Sequence, residues 1–347
     1  MRLTLCILVV GLAVPAAPAG AQDGGARHAI GGTAPGSARS YQGRTRNAGA
    51  EQTEKFSRKV KIGRDGRVSI ENISGDITVS AGSGDEVSID AVKHTRGDQS
   101  ELARVQIVVD ERPGRVDVRT EYDTVRTRGN RGNNTSVDYT VVVPAGVSVT
   151  VKSISGSVKV TGVRGVVRAE TISGNVTTAS TPKLEFAKTV SGEMDIADVS
   201  SDADVTMSSI SGNVHAKGLK ARALDLGTVS GDLVLNNVTC DRLGAKSVSG
   251  NVEYGGSLAK SGRYDINSHS GTVRLTLAGT IGFELNATSF SGSVRSELPL
   301  TIGGDANARD GRRSYGPRTT NMHATFGDGS AALVIRTFSG DIIITKR

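Results

Sequence analysis

The chain has 347 residues, a formal net charge of +7, 44 glycines, no tryptophan and only 3% aromatic residues. So little aromatic material argues against a compact aromatic-cored enzyme, and the length suits two ordinary domains or one elongated repeat domain. The many Val, Ile, Thr, Ser and Gly residues fit short strands and tight turns, while the positive balance favours anionic partners such as polysaccharide or lipid headgroups.

In chain order, Arg2 precedes a short apolar run, Leu3 to Val14, and a small-x-small site at Ala19-Gly20-Ala21. Residues 1–21 read as a signal peptide with Gln22 as the new N-terminus; the run is too short to span a bilayer. Cys6 lies inside the run, not at the cleavage point, so Cys240 is the sole cysteine expected in the mature chain. It cannot form an internal disulfide, and its apolar neighbours Val238 and Leu243 make it a buried small hydrophobe. Residues 22–55 are polar, rich in Gly, Ala and Arg and without period, which predicts a disordered tether. Residues 56–150 read as an irregular β segment that caps a repeat region. Within it, Arg112-Pro113-Gly114-Arg115 joins two alternating runs as a hairpin turn, and residues 124–136 form a loop rich in Arg, Gly and Asn.

From residue 151 to 347 the chain repeats. The unit is Ser/Thr, apolar, Ser, Gly, small polar, apolar, as in Ser153-Ile154-Ser155-Gly156-Ser157-Val158 and Thr228-Val229-Ser230-Gly231-Asp232-Leu233. Its glycines are Gly156, Gly174, Gly192, Gly212, Gly231, Gly250, Gly271 and Gly292, spaced by 18, 18, 20, 19, 19, 21 and 21 residues. Outlying copies place Gly75 before them and Gly340 after them. Between corners the pattern alternates, as in Val158 and Val160 or Leu233 and Leu235, so each strand has one buried face. A second break comes midway, at Gly162, Asn236-Asn237, Gly255-Gly256 and Ala278-Gly279. This predicts an all-β, parallel β-solenoid of about 19-residue, two-strand coils that satisfy each other's backbone groups and bury a continuous core.

At the corner, glycine is expected to supply a positive φ, and the serine before it a hydroxyl bonded to nearby backbone. The polar residue after it is expected to tolerate left-handed geometry, in a mixture that avoids a pure charge column. The spacing of 48 residues between Gly292 and Gly340 predicts one coil plus a loop insertion at about 303–329.

These spaced Ser-Gly-(Asn/Asp)-(Val/Ile) corners, with Val141 to Val147 (VVVPAGV) before them, resemble a large bacterial β-strand-repeat family of unknown function labelled as adhesins. The resemblance covers about residues 56–347. It implies a solenoid-like β architecture and an exported setting, and it carries over no catalytic residue.

The residues themselves point the same way. His28, His94, His215, His269 and His323 are scattered without ligand spacing, and His269 occupies a corner position where other copies carry Ile, Val or Phe, which reads as a local packing variant. No phosphate or dinucleotide fingerprint appears. No catalytic residue, cofactor or metal is expected. The expectation is an exported, non-enzymatic protein, periplasmic, secreted or surface-associated without a transmembrane anchor, acting as an adhesin or cell-envelope scaffold. Its partners would be a surface glycan, lipopolysaccharide or another envelope protein, with no specific nucleic acid. The alternatives are a carbohydrate-active β-solenoid enzyme, its groove completed by the 303–329 loop, and a polyanion- or glycan-binding module using Arg126, Arg128, Arg131, Arg309, Arg312 and Arg313.

Overall fold

In the computed structural model, residues 51–123, 134–303 and 320–347 are described. The expected signal peptide, most of the tether, and all six arginines proposed as polyanion contacts lie outside them. The architecture is all-β, with one four-residue helix at Gln99–Leu102 among the described residues. Residues 52–55, expected in the tether, instead belong to the strand Gln52–Lys61, which pairs antiparallel with Glu86–Thr95.

The strands form two rows, joined where one strand runs on through the mid-coil break, as in Val214–Ser230, Leu233–Ser249 and Val252–Ser270. In the first row, Arg67–Ser74 pairs in parallel with Ser148–Ser155, and that with Val166–Ser173. Lys183–Lys188 and Asp204–Ser208 come next, then the later halves of Val214–Ser230, Leu233–Ser249 and Val252–Ser270. In the second row, Ile77–Gly82, Val158–Thr161, Val176–Ala179 and Met194–Ser200 stack in parallel and lead into the earlier halves of the same long strands. Val158, Val176, Met194, Val214, Leu233, Val252 and Val273 thereby lie in one buried column. The core is the space between the rows, filled by such columns, and the parity of the alternating pattern predicts which side chains enter it.

Both ends depart from sequential stacking. At the start, Arg67–Ser74 lies between Arg115–Tyr122 and Ser148–Ser155. Arg115–Tyr122 forms the hairpin with Val105–Arg112, with Arg112 opposite Arg115 as expected. At the other end, the coil Ala331–Lys346 is threaded between two earlier ones. Ala331–Ser339 pairs in parallel with Val252–Ser270 on one side and Phe283–Ser291 on the other, while Ile342–Lys346 pairs with Val273–Ala278 and Val294–Ser296. The copy at Gly340 is therefore not the next level after Gly292; it sits between Gly271 and Gly292. Nor is the whole 303–329 stretch a loop, since Thr320–Phe326 is a strand antiparallel to Phe283–Ser291. Antiparallel strands thus cover the start of the stack and the first row at its far end, which blunts those open edges against pairing with other chains.

The corner chemistry differs from expectation in two respects. The serine before each glycine, such as Ser155 or Ser230, points outward, and the hydroxyl that works is two residues earlier. Thr171 donates to the Gly156 carbonyl at 3.0 Å, Thr189 to that of Gly174 at 3.0 Å and Ser289 to that of Gly340 at 3.0 Å. At the first corner Asn72 takes this place, its amide donating to Gly75 O at 3.1 Å and Val137 O at 2.8 Å. At these corners the glycine carbonyl finds a buried donor; the hydroxyls of Ser153, Ser209, Thr228 and Thr337 hold the same inward place without a hydrogen-bond partner.

Second, the residue after each glycine is not left-handed: among the described residues, the non-glycine ones with positive φ are Ser180, Asp198, Asn237 and Ser261. Its side chain instead accepts from the backbone N–H of the equivalent residue one coil on. Asn213 accepts from Asp232 N at 2.9 Å, Asp232 from Asn251 N at 2.7 Å, Asn251 from Thr272 N at 3.0 Å and Asp341 from Ser293 N at 2.8 Å. That N–H is skipped by the strand ladder, so an Asp or Asn oxygen is needed, and the two bonds from Ser293 hold the Asp341 carboxyl below its usual range. Asn213→Ala is expected to lower unfolding free energy by about 1 kcal/mol, while Glu193→Ala, where the longer side chain makes no such bond, leaves it nearly unchanged. Urea unfolding of both variants checks the difference.

Candidate interaction surface

The buried polar groups in this fold serve the scaffold. Nine hydroxyls and one amide form the inward corner column, from Asn72 and Ser153 to Thr337 and Ser289, all nearly inaccessible. Tyr264 donates to Cys240 O and accepts from Ala259 N, both at 2.7 Å. Burial raises both the Tyr264 phenol and the Cys240 thiol to about 12, so both stay protonated near neutral pH and the thiol is a poor nucleophile. No cluster of three or more His, Cys, Asp or Glu side chains suited to a metal occurs among the described residues, and no helix among them is long and apolar enough to cross a membrane.

The surface is less ordinary. Because the Ser/Thr of each corner points inward, strand parity turns the following apolar residue outward. Ile73, Ile154, Ile172, Ile210, Val229, Val248 and Phe338 are 41–50% exposed; Val190 and Phe290 are half-buried and His269 is exposed. Corner pairing orders these ten side chains as Ile73, Ile154, Ile172, Val190, Ile210, Val229, Val248, His269, Phe338 and Phe290, one per coil. The spacing is about 4.8 Å, so the stripe is just over 40 Å long. Isolated exposed apolar residues are normal in proteins; a continuous row of this length marks an interaction surface.

The aromatic end explains His269. Its ring stacks on Phe338 at 5.0 Å between centroids, and Phe338 stacks on Phe290 at 4.7 Å. His269 is thus a rung of the stripe, a role its isolated sequence position did not reveal. The facing rings present edges to solvent, which disfavours the flat stacking of a sugar on this ladder.

Two residues before each stripe position runs a second outward row. From the start it reads Glu71, Lys152, Glu170, Lys188, Ser208, Gly227, Lys246, Asn267, Arg336 and Thr288, and Arg119, paired beside Glu71, extends it by one strand. Over its first half the charges alternate. An open groove of about 660 Å³ follows the stripe there, lined by Ile73, Ile154, Ile172 and Val190 with Glu71, Lys152, Glu170 and Lys188 along one side. A second groove at the other end is lined by Val248, His269, Phe338, Lys246 and Arg336. Elsewhere, exposed ion pairs such as Arg168–Glu185 at 2.6 Å and Arg222–Asp204 at 2.8 Å join neighbouring coils, each contributing little alone.

The sequence pointed to the corner glycines and to loop arginines. Of these, the glycines fall in a single column beside the stripe, running Gly75, Gly156, Gly174, Gly192, Gly212, Gly231, Gly250, Gly271, Gly340, Gly292. A Cβ on any of the last nine would meet the carbonyl of a neighbouring glycine in that column.

Fold and surface together define an all-β repeat protein with a buried structural interior and an apolar ladder along one corner. The chain belongs to the Toastrack DUF4097 family, a domain of unknown function, whose profile matches residues 66–345. No curated protein matches it. Among solved structures, it is similar to a candidate adhesin from Bacteroides fragilis (11% identity, 84% of this chain and 97% of that one, TM-score 0.41). It is also similar to a candidate lipid-binding protein from Parabacteroides distasonis (11%, 84% and 96%, TM-score 0.42) and a candidate cell adhesion protein from Clostridium sporogenes (12%, 85% and 100%, TM-score 0.25).

Proposed function

We propose that this chain is an exported, non-enzymatic β-repeat protein that serves as an adhesin or cell-envelope scaffold. Residues 1–21 direct export, the polar stretch after them tethers the body, and the β segment up to about residue 150 caps a solenoid of about 19-residue, two-strand coils. The mature chain works in the periplasm, on the surface or outside the cell. The observation that carries this reading is the apolar stripe: one outward apolar or aromatic side chain on each of ten successive coils is surface that water disfavours and a partner would cover.

The test is a variant carrying Ile154→Ser, Ile172→Ser, Ile210→Ser and Val248→Ser, compared with the wild-type chain for binding to isolated cell envelopes. At least a tenfold loss of binding with an unchanged melting temperature is expected. Full binding by the variant would remove the basis for this reading.

A further inference from the structure

The stripe is regular as well as apolar: the rings at its aromatic end stack in planes only 8° and 11° apart from one coil to the next. A ladder with a 4.8 Å step is matched by another with the same step, and a second copy of this chain carries that step by construction. We propose that two copies pair face to face along the stripe, antiparallel, about a two-fold axis through Ile210.

The charged row selects this register. An antiparallel two-fold lays each copy's row against the other's in reverse order. With the axis at Ile210, Glu71 faces Arg336 of the other copy and Glu170 faces Lys246, each pair occurring twice. Lys152 faces Asn267, Lys188 faces Gly227, and Ser208 faces itself, so no like charges oppose. Sliding one coil in one direction opposes Lys152 with Arg336 and Lys188 with Lys246. Sliding one coil in the other opposes Lys152 with Lys246 and Arg119 with Arg336. Like charges set against each other across an interface cost several kcal/mol, so neighbouring registers are disfavoured. Glu71, Glu170 and Lys246 form no ion pair with a described residue of their own chain, and Arg336 holds only a loose exposed contact to Asp265 at 3.5 Å.

At this register nine of the ten stripe positions overlap: Ile73 meets Phe338, Ile154 meets His269, Ile172 meets Val248, Val190 meets Val229, and Ile210 meets Ile210. The strip is nearly 40 Å long and, with its flanking rows, about 14 Å wide. Its flat footprint is on the order of 500–600 Å² before side-chain relief is added, about two thirds of the roughly 800 Å² that each partner gives to a standard interface and in the range of a weak dimer. A two-fold interface of this kind is self-complementary and closed, so it stops at the dimer. The proposal rests on reading the stripe as an interaction surface and names its occupant.

Sedimentation velocity of the mature chain tests it. A dimer is expected at about 100 μM, and a monomer at that concentration overturns the pairing. Ile210→Arg sets two like charges on the axis and is expected to weaken the dimer at least 100-fold, with a melting temperature equal to wild type when both are measured at concentrations where they are monomeric; an unaffected dimer refutes the proposed face. Glu170→Lys and Lys246→Glu are each expected to weaken it about tenfold, and the double variant to restore it to within about threefold. Failure of that rescue overturns the register. A wild-type chain that stays monomeric but floats with phosphatidylglycerol vesicles would mean that the stripe faces lipid, which also overturns it. A monomer that still binds envelopes through the stripe sinks the pairing and leaves the adhesin reading standing; a dimer without envelope binding does the reverse.

Discussion

Gly212→Ala is expected to lower unfolding free energy by about 3–5 kcal/mol, or to prevent folding of the central coils. Gly212 has φ of +146°, where an L side chain costs about 1–3 kcal/mol. Its added Cβ would also meet the Gly192 carbonyl, and overpacking against unyielding structure costs about another 1–3 kcal/mol. The backbone cannot move aside cheaply. Gly212 N donates to Ser230 O at 2.9 Å and Ser211 N to Val190 O at 2.8 Å, so the corner is bonded to the coils on both sides. Gly227→Ala is the matched control: its φ is ordinary and nothing lies within 4 Å of the new methyl. It should be neutral or stabilise by up to about 1 kcal/mol through the unfolded state. Gly292→Ala separates the two causes, since Gly292 lacks the positive φ of the other corners yet its Cβ would meet the Gly340 carbonyl. A loss there close to that of Gly212→Ala would make the carbonyl contact dominant. Urea midpoints for the three variants decide it, and equal stability of Gly212→Ala and Gly227→Ala would refute the stacking account.

Removing residues 330–347 is expected to release more of the chain than is deleted. The threaded coil contributes Ala331, Leu333, Ile335, Ile342 and Ile344, all buried at 0–1% exposure, and each larger side chain is worth about 1.5–3 kcal/mol. It also provides the only parallel neighbour, among the described residues, for Phe283–Ser291 and Val294–Ser296. Because a repeat stack is held by nearest-neighbour interfaces, the loss should stay local. Amide hydrogen exchange should show Phe283–Ser296 losing protection while strands from Ser148 to Ser249 keep it. Retained protection in Phe283–Ser296 would mean that this coil docks directly on Val252–Ser270 and that the threaded order is not needed for its stability.

The sequence alone determined the local terms of this fold. Alternation at Val158 and Val160 or Leu233 and Leu235 specified buried faces, because side chains alternate across a strand whatever the strand packs against. Pro113-Gly114 specified a hairpin for the same local reason. The parity even reached the corner: counting by two from Val149 through Val151 arrives at Ser153, which leaves Ile154 outside, so the stripe was legible in principle. The usual rule that apolar residues face inward hides it, and that rule fails at this corner, where the inward position holds a Ser, Thr or Asn. The acceptor role of Asn213 and Asp232 was hidden because the N–H they satisfy belongs to another coil. The order of coils was decided only by the tertiary structure. All ten corners carry nearly the same signature, so local sequence cannot say that Gly340 lies between Gly271 and Gly292; that choice rests on contacts between segments far apart in the chain. The Phe338 ring held between His269 and Phe290 is one of those contacts, and it exists only once the last coil is in place.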